Sequence, residues 1–216
     1  MRLLFPGPII IEMVNQLRKY KQKLKAHFQK NKTSDVEISY DQKRQIINLY
    51  REKYSCKSFV ETGTFLGDTV WFFKEFFDEL YSIELSYELA ERAKKRFEDC
   101  ANVNIIEGNS AIVLQQIIDK FNCPVFFWLD GHYSSEFFYK GEYFRTAKAE
   151  KNTPIEQELE IVLASDYDHI ILIDDARLFV GHNDYPTIDE IREKVSALKN
   201  NYKVEVHTDI IQIFPV

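Results

Sequence analysis

Beyond residue 56 the chain divides into short, wholly apolar runs separated by stretches of helical periodicity. SFVE (58–61), LYSIEL (80–85), VNIIEG (103–108), PVFFWLD (124–130) and HIILID (169–174) read as strands. TVWFFKEFF (69–77), SYELAERAKKRFED (86–99), AIVLQQIIDKF (111–121), PIEQELEIVLAS (154–165) and TIDEIREKVSALKN (187–200) read as helices, and YKVEVHT with IIQIFPV closes the chain as a strand pair. Strands that are apolar at every residue are buried on both faces, as in a mostly parallel sheet with helices on either side. The expected class is therefore α/β, doubly wound.

The first 56 residues differ. From Ile9 to about Lys30, Ile10, Val14, Leu17, Leu24 and Phe28 recur at helical spacing while Lys19, Lys21, Lys23 and Lys25 fall largely on other faces. This predicts a basic amphipathic helix. KNKTSD (30–35) reads as a linker, and SYDQKRQIINLYREKY (39–54) as a second helix with Ser39 or Asp41 as N-cap. The expected organisation is a helical extension over 1–38 and one domain over 39–216.

Charge sharpens that division. Residues 1–35 carry eight Lys/Arg against Glu12 and Asp35, a net +6, so the total of −6 leaves −12 for the remainder. The basic helix either packs on the domain or a homodimer partner, or touches an anionic membrane surface or an acidic partner. A body at −12 argues against nucleic acid as a partner. At 216 residues and 45% hydrophobic content the chain supports one sizeable core. Cys56, Cys100 and Cys123 have no CxxC spacing, which excludes a zinc ribbon or disulfide framework and fits a reducing compartment. No apolar run approaches the ~18 residues of a transmembrane span, and Pro6, Gly7, Pro8 and Glu12 break up the apolar start. The expected location is cytoplasmic.

In a doubly wound sheet ligands bind outside the carboxyl ends of the strands. Those ends read Glu61-Thr62-Gly63-Thr64, with Gly67 and Thr69 following, then Glu84, then Glu107-Gly108-Asn109-Ser110, then Asp130-Gly131-His132, then Asp174-Asp175. Four of seven glycines and a set of acids thus gather at one edge, which a purely structural sheet does not need. Gly63 and Gly67 are expected where something approaches the backbone closely. Glu84, some twenty residues on, is placed to accept hydrogen bonds from a ribose. A dinucleotide enzyme also uses this plan, but with GxGxxG facing a pyrophosphate. Glu61 instead suits a ligand carrying an ammonium group.

VETGTFLGDT, the acid ending LYSIEL, EGNS, WLDGHYS and ILIDDARLF, in this order over 57–216, resemble the successive motifs of class I S-adenosylmethionine-dependent methyltransferases. Within that class, Asp130 and the pair Asp174-Asp175 are similar to the metal-dependent O-methyltransferases of the catechol and macrocin types. The resemblance implies a seven-stranded sheet ending in an antiparallel hairpin. It also implies Glu61 and Gly63 near the amino acid end of the cofactor, Glu84 on the ribose hydroxyls, and Asn109 with Ser110 beside the adenine. A third glycine common in the class is Phe65 here, and residues 1–56 lie outside the shared motifs.

Asp130, Asp174 and Asp175 form a candidate set of hard oxygen ligands, suited to Mg²⁺; alternatively the pair caps the next helix. Catechol-type enzymes have a lysine three residues after the first metal aspartate, where this chain has Tyr133. The candidate general bases are therefore His132, at an ordinary pKa of ~6.5, and Asp130 itself, as in macrocin-type enzymes. His27, His169, His182 and His207 are expected at the surface or sheet edge. The loop from Tyr133 to Thr153 is long, and its Phe137, Phe138, Tyr139, Tyr143 and Phe144 either shield a reaction from water or make an oligomer contact. Lys140, Arg145, Lys148 and Lys151 on it are candidates to attract an anionic group.

The expectation is an S-adenosylmethionine- and Mg²⁺-dependent O-methyltransferase acting on a hydroxyl of a small polyhydroxylated acceptor, such as a sugar or glycosylated metabolite. The alternatives are a metal-independent methyltransferase and an inactive cofactor-binding module recruited through the basic helix.

Overall fold

The computed structural model describes residues 37–216. The basic helix expected at 9–30, the linker at 30–35 and His27 lie outside the described residues. Helix α1 (Tyr40–Tyr54) opens with a capping box on Ser39, whose hydroxyl accepts from the Gln42 N–H while the Gln42 side chain accepts from the Ser39 N–H. Ser39, not Asp41, is the N-cap. The helix buries Ile46, Ile47 and Tyr50, and the Tyr50 hydroxyl donates to Gln212 Oε1 at 2.5 Å, which seats α1 on the sheet.

Then follow β1 (Ser58–Thr62), α2 (Asp68–Phe73), β2 (Glu79–Glu84), α3 (Tyr87–Arg96), β3 (Val103–Glu107), α4 (Ser110–Ile118) and β4 (Phe126–Leu129). The second half contains β5 (Glu136–Tyr139), β6 (Glu142–Arg145), α5 (Ile155–Leu163), β7 (Ile170–Ile173), a short 3₁₀ turn (Ala176–Leu178), α6 (Ile188–Leu198), β8 (Tyr202–His207) and β9 (Ile210–Pro215). Seven strands form one sheet in the order β3-β2-β1-β4-β7-β9-β8. The first five run parallel; β9 is antiparallel to both β7 and β8.

Alternate residues along each strand enter opposite cores. Val60, Phe127, Leu129, Ile171 and Ile173 pack with α4, α5 and α6 on one face. Phe59, Phe126, Trp128, Ile170 and Leu172 pack with α1 and α2 on the other, where the Phe59 ring lies 5.0–5.9 Å from those of Phe73, Phe77 and Phe126. The central strands are buried on both sides, which is why their sequence shows no alternation.

Two expectations change. The segment after β4 holds an antiparallel hairpin, β5–β6, turning through Lys140 (φ 49°) and Gly141 (φ 83°). Two consecutive residues at positive φ match the twist of a hairpin, and the alternation in EFFYKGEYFR around a glycine is the signal that identifies it. His169 is not at the surface: it is 1% exposed, and its Nδ1 accepts from the Val125 N–H at 3.0 Å. Burial holds its ring near a pKa of about 4. Among the described residues no helix is long and apolar enough to cross a membrane, and all three cysteines are free.

Candidate functional site

The strand ends open onto one cleft. Its first wall is the turn after β1. Gly63 has φ 85°, and a Cβ there would lie 2.5 Å from the Asp130 carbonyl oxygen, so the closely approaching group on that side is the protein's own backbone. Gly63 also lines the cleft. Gly67, also at positive φ, lies against the Phe97 ring and away from the cleft.

Beneath this turn Glu61 is buried, and the Ser82 hydroxyl donates to its Oε2 at 2.5 Å. The Ser82 hydroxyl also lies 2.6 Å from that of Thr64. Burial pushes the Glu61 carboxyl up to about 8, against hydrogen bonds from Ser82 and Thr69 and with help from the negative Asp130. Thr62 is fully buried, its Oγ1 accepting from the Gly131 N–H at 3.2 Å. Glu61, Thr62, Thr64 and Thr69 therefore support the turn from below, while Gly63 reaches the cleft.

Glu84, Asn109 and Ser110 line the cleft with it. Glu84 accepts the N–H of Phe65 at 2.7 Å and that of Ser86 at 2.9 Å. Burial raises its pKa, against the pull of those N–H groups. Each carboxylate oxygen keeps a second lone pair for a ligand. Asn109 caps α4, its Oδ1 accepting from the Ala111 N–H at 3.0 Å.

Phe65 occupies the place of the missing third glycine at φ 49°, a conformation a bulky side chain adopts at a cost. Its ring lies 4.9 Å from Phe144, 5.5 Å from Phe137 and 5.6 Å from Tyr139, so the β5–β6 hairpin is fastened over the first turn. The cations of the 133–153 loop find partners within the protein: Lys140 on Asp68 at 2.7 Å, Arg145 on Glu136 at 3.6 Å, Lys151 on Glu156 at 3.1 Å, and Lys148 over the Tyr133 ring.

The opposite wall is charged. Asp130, His132 and Asp175 bring one ligand atom each within 4.8 Å of one another. His132 Nδ1 is 3.3 Å from Asp130 Oδ1, and its Nε2 is 3.5 Å from Asp175 Oδ2. Although burial opposes the charged ring, Asp130, Asp175 and Asp174 raise His132 to about 9. The three acids thus favour the charged form of the ring, where the sequence suggested an unshifted base.

Asp174, expected beside Asp175 in the ligand set, lines the same cleft but stands outside the group of Asp130, His132 and Asp175. Its Oδ1 accepts the Asp175 N–H at 2.9 Å and its Oδ2 takes Lys43 Nζ at 2.5 Å. Burial and the neighbouring aspartates push its pKa well up, against Lys43. Asp175, at φ 56°, also meets Arg177, which reaches Asp209 as well.

Two contributors escaped the sequence reading. Lys43 comes from α1, outside the recognised motifs, and no local pattern marks it. Glu158, 1% exposed on α5, has its Oε1 without a hydrogen-bond partner beneath Gly131. Burial raises it to about 7, against the hydroxyls of Ser110 and Thr62; an acid on the inner face of an apolar helix is its only sequence signal.

No protein-family model and no curated protein matches the chain. Solved structures do. An O-methyltransferase from Bacillus cereus in complex with S-adenosylhomocysteine is 17% identical, with a TM-score of 0.56 over 99% of this chain and 94% of that one. TomG, an O-methyltransferase of tomaymycin synthesis from Streptomyces achromogenes in complex with S-adenosylmethionine, is 13% identical, with a TM-score of 0.51 over 99% and 92%. The methyltransferase domain of a bacterial Hen1 is 12% identical, with a TM-score of 0.52 over 81% and 98%. This chain has the class I methyltransferase fold.

Proposed function

We propose that the protein is an S-adenosylmethionine-dependent O-methyltransferase whose acceptor is a hydroxyl of a small polyhydroxylated molecule, such as a sugar or glycosylated metabolite. The observation that carries this reading is that Gly63, Glu84, Asn109 and Ser110 open onto the same cleft as Asp130, His132 and Asp175. Two of the structural neighbours are O-methyltransferases, one with S-adenosylhomocysteine and one with S-adenosylmethionine.

S-adenosylmethionine supplies the methyl group, carried on a sulfonium. Toward it, Glu84 accepts from ribose hydroxyls, Asn109 and Ser110 flank the adenine, and Gly63 lies at the amino acid end, on a turn that the buried Glu61 supports through Ser82. Phe65 and Phe137 keep water from the reacting centre. Asp130 is the group left to accept the acceptor's proton, since His132 already carries one.

Asp130 and Asp175 would hold a divalent ion together with His132 once that ring has released its proton, because only the neutral imidazole is a ligand; two carboxylates and an imidazole suit Mn²⁺ as well as Mg²⁺. Such an ion, when bound, lowers the pKa of a hydroxyl and orients it. Calorimetry with S-adenosylhomocysteine tests the cofactor half, and methyl transfer to a panel of sugars with and without EDTA tests the acceptor half. No heat on titration ends the methyltransferase reading; transfer that persists in EDTA ends the metal.

Residues 1–38 are read as an extension separate from this machinery, so deleting 1–30 leaves S-adenosylhomocysteine affinity unchanged. Any homodimer or weak membrane-surface contact made through that basic segment is lost with it, which gel filtration and vesicle co-sedimentation record.

A further inference from the structure

The charged wall already contains a cation of its own. Lys43 Nζ stands 2.5 Å from Asp174 Oδ2 and 3.5 Å from Asp175 Oδ1, with a side chain 11% exposed, and it lines the same cleft as Asp130 and His132. It is delivered by α1, which is seated by Ile46, Ile47 and the Tyr50–Gln212 hydrogen bond, so its position follows from the packing of the helix. A lysine ammonium is charged at neutral pH. Arg177 adds a second positive charge at the same Asp175 oxygen, Oδ1, at 2.8 Å.

A divalent ion entering Asp130, His132 and Asp175 therefore meets an ammonium that shares one of its ligands. Two cations on one carboxylate repel, and inside a partly desolvated cleft that repulsion is weakly screened. Asp174 stands outside the group of Asp130, His132 and Asp175, its Oδ2 on Lys43 and its Oδ1 on the Asp175 N–H.

We propose that Lys43 is the resident cation of the acceptor site, held by Asp174, sharing Asp175 with the divalent ion and setting how weakly that ion is held. This rests on the reading of Asp130, His132 and Asp175 as a cation site. The protein then works with a loosely bound, exchangeable ion, and α1 tunes the site although it precedes every recognised motif. Lys43 acts through the carboxylates it holds and is a positioning residue.

The test is a Mn²⁺ titration of the full chain, followed by the electron paramagnetic resonance signal of free Mn²⁺. Wild type, Lys43→Met, Lys43→Gln, Lys43→Arg and Asp175→Asn are compared, with S-adenosylhomocysteine calorimetry on each as the measure of an intact fold. The expected result is at least tenfold tighter Mn²⁺ binding by the two neutral variants, with Lys43→Arg close to wild type because the charge is kept and Asp175→Asn weaker than wild type. Lys43→Gln carries the test if Lys43→Met does not fold. Equal affinity of wild type and the neutral variants overturns the proposal and leaves the cation site standing. Absence of Mn²⁺ binding by every variant overturns both, while retained S-adenosylhomocysteine binding leaves the cofactor half untouched.

Discussion

The two walls of the cleft hold their acids by different means. At the ends of β1 to β3, Glu84 and Asn109 accept backbone N–H groups and Glu61 accepts a hydroxyl, so each acidic or amide group is fixed by neutral dipoles. At the ends of β4 and β7, Asp130, Asp174 and Asp175 are fixed by His132, Lys43 and Arg177, all positive. Neutral partners leave Glu84, the acid of this wall that lines the cleft, free to meet a ligand's hydroxyl groups. Charged partners make the second wall a counter-ion cluster whose composition decides which further cation it accepts.

The strongest way to break this comparison is Gly63→Ala, because the turn joins the two walls through the Asp130 backbone. The added methyl would meet a carbonyl at 2.5 Å in a conformation at φ 85°. A loss of roughly 2–4 kcal/mol in urea unfolding is expected, together with loss of S-adenosylhomocysteine binding. Wild-type stability in the variant would mean that the walls are not joined there.

Glu61→Gln addresses the first wall by pH. The Glu61 carboxyl, pushed up to about 8 from an ordinary 4.5, binds a proton in the folded state that the unfolded chain has released. Stability is thus fully present below pH ~4.5 and falls as pH rises through about 8. The glutamine variant should flatten that slope by roughly 2–3 kcal/mol, a discounted share of the full shift. An unchanged slope of melting temperature against pH would show that Glu61 is ionised as it stands.

For the second wall, Asp174→Asn removes the counter-charge of Lys43. Because Asp175 still faces the ammonium, the expected cost is roughly 2 kcal/mol, below that of a fully broken buried pair. Lys43→Met in the same chain should restore part of it, since the two residues are coupled. Strict additivity of the two substitutions in urea unfolding counts against the pair.

The smallest effect belongs to Glu84→Ala, which should weaken S-adenosylhomocysteine binding about tenfold, or ~1.4 kcal/mol, without changing Mn²⁺ affinity. Affinity unchanged in calorimetry would remove Glu84 from the cofactor wall.

Apart from the β5–β6 hairpin, the order of elements, the mostly parallel sheet and the edge that collects the acids were legible in the sequence. They follow from local causes: apolar runs buried on both faces, helical periodicity, and polar residues that interrupt the pattern at each strand end. Glu84, Asn109 and Ser110 were legible for the same reason, since a strand's end lies on a known edge whatever its neighbours do. Asp174 and Asp175 were legible as a pair but not as individuals. Adjacent residues leaving a strand point to opposite sides, and only the turn at φ 56° and the lysine 131 residues earlier in the chain decide which one joins Asp130 and His132. His132 shows the same division, because its charge is set by three aspartates gathered from two strands. Lys43 carried no signal at all: one lysine among many on a polar helix face becomes the cation of the site only when α1 packs against β7, and long-range packing is what a one-dimensional pattern does not encode.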